Sequence, residues 1–190
     1  VAIRRHLHMY PELSFKEEKT SRYIKSILKK WNINFTEGYV NTGILVVLEG
    51  CNPKSKCVAL RADFDALPIT EENEISYCSK NIGVMHACGH DGHTTMLLGA
   101  AKKLSNQREF NGTVVFIFQP AEEHGQGALA MIEDELFERF PIDSVYGIHN
   151  MPSLTTGHFA IRSGPVMACE DNFEITIIGK GGHAALPHLS

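Results

Sequence analysis

A chain of 190 residues, 43% hydrophobic and 21% charged, has the composition of a folded globular protein and is long enough to bury a full core. Its net charge of -4, from 18 basic and 22 acidic residues, comes without the basic run that a phosphate backbone requires, so nucleic acid is not an expected partner. No stretch approaches the roughly 20 apolar residues of a membrane span and the opening residues lack the apolar core of a signal peptide, so no membrane association is expected either.

In chain order, Arg5-His6-Leu7-His8 leads to Pro11, which breaks any helix that begins before it. Ser14 followed by Glu17 reads as a capping box. Tyr23, Ile24, Ile27, Leu28 and Trp31 then recur at helical spacing, with lysines on the other face. Short runs rich in β-branched residues read as strands at 43–48, 57–62, 113–118 and 144–148. Helical patterns lie between them at 94–104 and 127–137. Apolar strands separated by helices predict an α/β fold, a mixed, mainly parallel sheet covered by helices on both faces. Beyond it, 156–162 and the alternating 173–178 read as further strands. Residues 1–168 are expected to be one domain and 169–190 the start of a second α+β domain. Five cysteines, at 51, 57, 78, 88 and 169, are an odd number without the spacing of a disulfide framework, which predicts free thiols and a cytoplasmic setting.

The densest chemistry is His86-Ala87-Cys88-Gly89-His90-Asp91-Gly92-His93. Thiolate and neutral imidazole are good ligands for zinc and related ions, although a turn with solvated histidines and a buried thiol would use the same letters. The surrounding pattern favours the metal. Asp63 and Asp65 follow one strand, Glu122 and Glu123 another and His149 a third, and ligands of open α/β sheets collect beyond the carboxyl ends of strands. Cys88, His90, a carboxylate from Glu122 or Glu123, and His149 would surround one or two divalent ions, zinc, manganese, cobalt or nickel.

These segments resemble the M20 metallopeptidases, and within them the amidohydrolase branch of aminoacylase-like, hippurate hydrolase and auxin-conjugate hydrolase enzymes. The matching stretches are Arg5–His8 with Pro11–Phe15, Leu60–Pro68, His86–His93, Gln119–Glu123, Gly147–Asn150 and Gly179–His188. The resemblance implies a zinc-peptidase-like catalytic domain followed by a satellite domain that serves dimerisation. It implies metal ligation by Cys88, His90, Glu123 and His149, with Glu122 as general base and acid. Asp65 falls on the aspartate that orients a ligand, and His183 on the satellite-domain histidine that stabilises the oxyanion, often across a homodimer. Asp63 stands where other M20 branches carry a ligand histidine and is expected near the site without ligating. His86, Asp91 and His93 are expected to shape and orient.

The activity so implied is metal-dependent hydrolysis of the amide bond of N-acyl amino acids. The alternatives are a dipeptidase or aminopeptidase of the same superfamily, and a non-catalytic metal-binding or dimerisation protein. Members of the family carry a further histidine ligand near their C-terminus. No such segment occurs in these 190 residues, so the chain alone is expected to be an incomplete enzyme.

Overall fold

Pro11 sets the first boundary of the computed structural model, which describes residues 1–169, 171 and 173–189. Helix α1 (Ala2–Met9) stops just short of it. Helix α2 (Glu18–Lys30) buries Ile24, Ile27 and Leu28, with Tyr23 and Trp31 packed beside them. The capping box does not form. Phe15 takes the left-handed φ of +62°, which turns Ser14 out of line with the helix. Its hydroxyl donates instead to Asp65 Oδ2 at 2.7 Å, and the Glu17 carboxylate accepts from Phe15 N at 2.9 Å.

Five strands follow: β1 (Thr36–Tyr39), β2 (Gly43–Glu49), β3 (Cys57–Asp63), β4 (Thr113–Gln119) and β5 (Ser144–Gly147). They form one mixed sheet in the order β1-β2-β4-β3-β5, antiparallel from β1 to β4 and parallel among β4, β3 and β5. β1 has no signature in the sequence, being four residues long with only Tyr39 buried. Side chains two apart share a face, and the core divides accordingly. Ile44, Val46, Leu48, Phe116 and Phe118 pack with α2 and with Leu97, Leu98 and Ala101 of α3 (His90–Asn106). Leu45, Val115 and Ile117 pack on the opposite face with Met131 and Leu136.

Helix α3 starts four residues before the apolar pattern does, because its first turn is made of the polar residues His90, Asp91 and His93. The helix expected at 127–137 divides into α4 (Gly127–Glu133) and α5 (Leu136–Arg139) at Glu135, whose φ of +63° cannot continue a right-handed helix.

The chain separates into two compact units, Val1–Met151 and Pro152–Ser190. In the second, apart from a short 3-10 turn at Pro187–Leu189, the described residues form neither helix nor strand. The strands expected at 156–162 and 173–178 do not form there: an isolated strand leaves its backbone groups unpaired, and no neighbouring segment of that unit pairs with them. The structure shows no disulfide at any of the five cysteines. Among the described residues no helix is long and apolar enough to cross a membrane.

Candidate metal centre

The carboxyl ends of β3, β4 and β5 lie side by side because the three strands run parallel. Asp63 closes β3, Gln119 closes β4 and Gly147 closes β5. The segments that leave them therefore emerge on one edge, where α3 also begins. Gly89 makes the entry to α3 with φ +91°, a conformation that favours glycine. A Cβ at this position would stand 3.2 Å from Asn150 Cβ. The turn leaves Cys88 and His90 on either side of it, close to the chain that leaves β5.

His90 is fully buried. Its Nδ1 lies 3.2 Å from Asp65 Oδ1, and since a carboxylate only accepts, Nδ1 carries a proton, which on the neutral ring leaves the lone pair on Nε2. Nε2 has no hydrogen-bond partner. It stands 3.6 Å from Glu123 Oε1 and 3.7 Å from Glu122 Oε2. Glu123 Oε1 is buried without a hydrogen-bond partner as well. Two buried polar atoms that face each other without a hydrogen bond are costly unless a cation lies between them.

Cys88 Sγ is 3.3 Å from His149 Nε2. His149 Nδ1 donates to the Asn150 carbonyl at 2.7 Å, which again leaves the lone pair on Nε2. Cys88, His90 and His149 bring one ligand atom each within 4.8 Å of one another, as do His90, Glu122 and Glu123. Thiol, two imidazole lone pairs and two carboxylates are a donor set that fits one or two divalent cations. A third cluster of the same tightness, Asp63, His90 and His93, is chemically different. His93 Nδ1 donates to Asp63 Oδ1 at 2.7 Å, and His93 Nε2 accepts from Asn150 N at 2.7 Å. Both ring nitrogens are engaged, and Asp63 Oδ2 is held by Arg61 at 2.7 Å. Asp63 and His93 thus brace the site from the side.

Negative charge dominates the site. Burial pushes the Cys88 thiol up to about 12, and the carboxylates of Glu123, Glu122 and Asp63 push the same way. Burial raises Glu123 too. Burial alone would also raise Asp63 and Asp65, yet hydrogen bonds from His93 and His90 hold both below the usual carboxylate range. Glu122 and Glu123 differ in access, their side chains being 37% and 18% exposed.

Asp65 also accepts from Glu123 N at 2.9 Å, so one carboxylate orients His90 and the Glu122–Glu123 turn together. Reading along the sequence misses three supports: Ser14, Glu17 and the backbone N–H of Asn150, none of which lies near its partner in the chain. His86 is buried with neither ring nitrogen partnered, and burial lowers it to about 4. His183 belongs to the unit Pro152–Ser190, where its Nδ1 accepts from Ala185 N at 3.1 Å.

Comparison with known proteins bears on this edge of the sheet directly. The model of peptidase family M20/M25/M40 matches residues 59–188. Over 189 residues the chain is 48% identical to an N-acetyl-L-cysteine deacetylase of Bacillus subtilis, covering 99% of this chain and 45% of that protein. Over 185 residues it is 48% identical to a hippurate hydrolase of Campylobacter jejuni, covering 97% of this chain and 48% of that one. A solved structure of a dinuclear metal-binding M20 peptidase from Bacillus subtilis superposes with a TM-score of 0.78 at 40% identity, covering 82% of this chain and 44% of that one. The chain spans about half the length of the curated relatives it matches.

Proposed function

We propose, because the chain belongs to peptidase family M20/M25/M40, that it carries the core of a metal-dependent amidohydrolase site acting on N-acyl amino acids. The observation that carries this reading is the unpartnered Nε2 of buried His90, facing Glu123 and Glu122 at 3.6 and 3.7 Å beside the Cys88–His149 pair. Cys88, His90, Glu123 and His149 are the residues that would hold the metal in this reading. Zinc suits the thiolate, while manganese, cobalt and nickel suit the mixed imidazole and carboxylate set. A divalent ion bound there lowers the pKa of a water toward roughly 7 and polarises the scissile carbonyl.

The residues divide the remaining work. Glu122, the more exposed of the two glutamates, takes the water proton and returns it to the leaving amine. Asp65 keeps the His90 proton on Nδ1 and so keeps Nε2 available. His183 accepts at Nδ1 from Ala185 N, which leaves Nε2–H as a donor on the neutral ring. In the proposal that donor serves the oxyanion of the tetrahedral species, delivered by a satellite domain that begins near residue 169, across a homodimer. The relatives' activities on N-acetylcysteine and hippurate support the substrate class. Five free thiols suit a reducing, cytoplasmic setting.

The test separates base from ligand. Loaded with each candidate ion, this chain within a protein of its relatives' length is expected to hydrolyse N-acetyl- and N-benzoyl-amino acids in preference to dipeptides, and the 190 residues alone to show little or no turnover. Glu122→Gln keeps the bound metal and loses turnover, while Glu123→Gln loses metal on dialysis. Loss of metal from Glu122→Gln, or turnover that survives in it, would overturn the assignment.

A further inference from the structure

Glu17 is buried to 0% exposure, an unusual setting for a carboxylate. Its Oε1 accepts from Phe15 N at 2.9 Å and from Ala121 N at 2.9 Å, and its Oε2 accepts from the Thr42 hydroxyl at 3.1 Å. Two of these donors belong to residues in the left-handed region that non-glycine residues rarely adopt, Phe15 at φ +62° and Ala121 at φ +52°. Ala121 is itself fully buried, so its N–H has no recourse to water and depends on this acceptor. The turn that Ala121 opens carries Glu122 and Glu123. Its other end is fastened by Asp65 Oδ2 on Glu123 N at 2.9 Å.

We propose that Glu17 is a positioning residue for the glutamate pair: its carboxylate latches the left-handed Ala121 and so aims Glu122 and Glu123 at Nε2 of His90. The inference rests on the amidohydrolase reading of that pair. A strained left-handed alanine persists only where the surroundings over-determine it. Here the Ala121 carbonyl accepts from Gly127 N at 3.0 Å within the turn, and the N–H is held by one buried acceptor 104 residues away in sequence. If the turn relaxed to a right-handed or extended residue, Glu122 and Glu123 would swing together, because they are consecutive. The segment Glu12–Glu17 thereby touches the site twice, through Ser14 on Asp65 and through Glu17 on Ala121.

The test uses this chain within a metal-loaded protein of its relatives' length, and two substitutions of similar volume. Glu17→Gln retains an oxygen that accepts from Phe15 and Ala121 and an amide that donates to the Thr42 oxygen; kcat and metal affinity stay near wild type. Glu17→Met fills the space without an acceptor; kcat falls about 10- to 100-fold with KM little changed, and metal affinity in chelator competition falls by a similar factor. Glu17→Met combined with Ala121→Gly, where glycine adopts positive φ without a latch, regains most of both losses. A protein that merely lost stability would not be repaired by a glycine in that turn. Wild-type kcat and metal affinity in Glu17→Met, no recovery in the double variant, or an unfolded Glu17→Met that Ala121→Gly does not restore would each overturn the proposal. A wild-type protein that binds no metal and hydrolyses no N-acyl amino acid would instead overturn the amidohydrolase reading beneath it.

Discussion

At the scale of single residues, the site works by assigning protons. His90 and His93 are both buried imidazoles facing aspartates, yet only His90 is left with a free lone pair, because Asn150 N donates to His93 Nε2. Asp65 is the most loaded group, accepting from His90 Nδ1, Ser14 Oγ and Glu123 N. Asparagine has one oxygen, and its amide would present N–H to at least one of those donors. Asp65→Asn should therefore weaken metal affinity about 10- to 100-fold, as read by competition with a chromogenic chelator. An unchanged affinity would show that the three hydrogen bonds do not orient the ligands. The octapeptide at 86–93 announces a cluster of donors, but the letters do not say which histidine keeps an unpartnered nitrogen. That depends on partners 25 residues from His90 and 57 residues from His93.

At the scale of elements, the start of α3 is pinned by charge. His8 of α1 places Nδ1 2.9 Å from Asp91 Oδ2 and Nε2 3.0 Å from Glu71 Oε1, and Arg4 Nε reaches Asp91 Oδ2 at 3.1 Å. The hydrogen bond to Asp91 raises the His8 pKa most; burial opposes it and Glu71 adds to it. The folded value thus lies above the unfolded one, about 6.5. The stability that the protonated ring contributes is fully present below that pH and is lost as pH rises through the folded value. Urea unfolding of wild type and His8→Gln should differ most at pH 6 and converge toward pH 9; a constant difference would mean that His8 acts by packing alone. In the sequence His8 and Asp91 are each visible, but their pairing across 83 residues is not. Helices α2, α3 and α4 and four of the five strands are legible from periodicity, whereas α1 shows only its stop at Pro11. β1 is not, being short and exposed, and neither is the break at Glu135, which a side-chain pattern does not encode.

At the scale of the molecule, the two units differ in how much they bury. Every buried residue among those described lies in Val1–Met151, and those described in Pro152–Ser190 are exposed, Phe159, Ile161, Ile177 and Ile178 at 84–96%. Exposed backbone without helix or strand is where proteases cut first. Limited trypsinolysis should cleave at Arg162 and Lys180 before any site in 1–151, leaving a fragment with native helical circular dichroism; mass spectrometry of the earliest products decides it. First cuts within 1–151 would show that the sheet unit is not the stable part.

For α2, α3, α4 and β2 to β5 the sequence by itself determined the element type, since burial on one or two faces imposes periods of 2 and 3.6 on the side chains. It also determined the inventory of donors, since thiol, imidazole and carboxylate are properties of residues. Tertiary structure alone decided which donors are free to bind. A lone pair is freed or blocked by a hydrogen-bond partner, and here the partners come from other strands and helices: Asp65 on His90, Asn150 on His93, and Glu17 on the turn before Glu122. Those pairings exist only after the parallel strands have brought their carboxyl ends together.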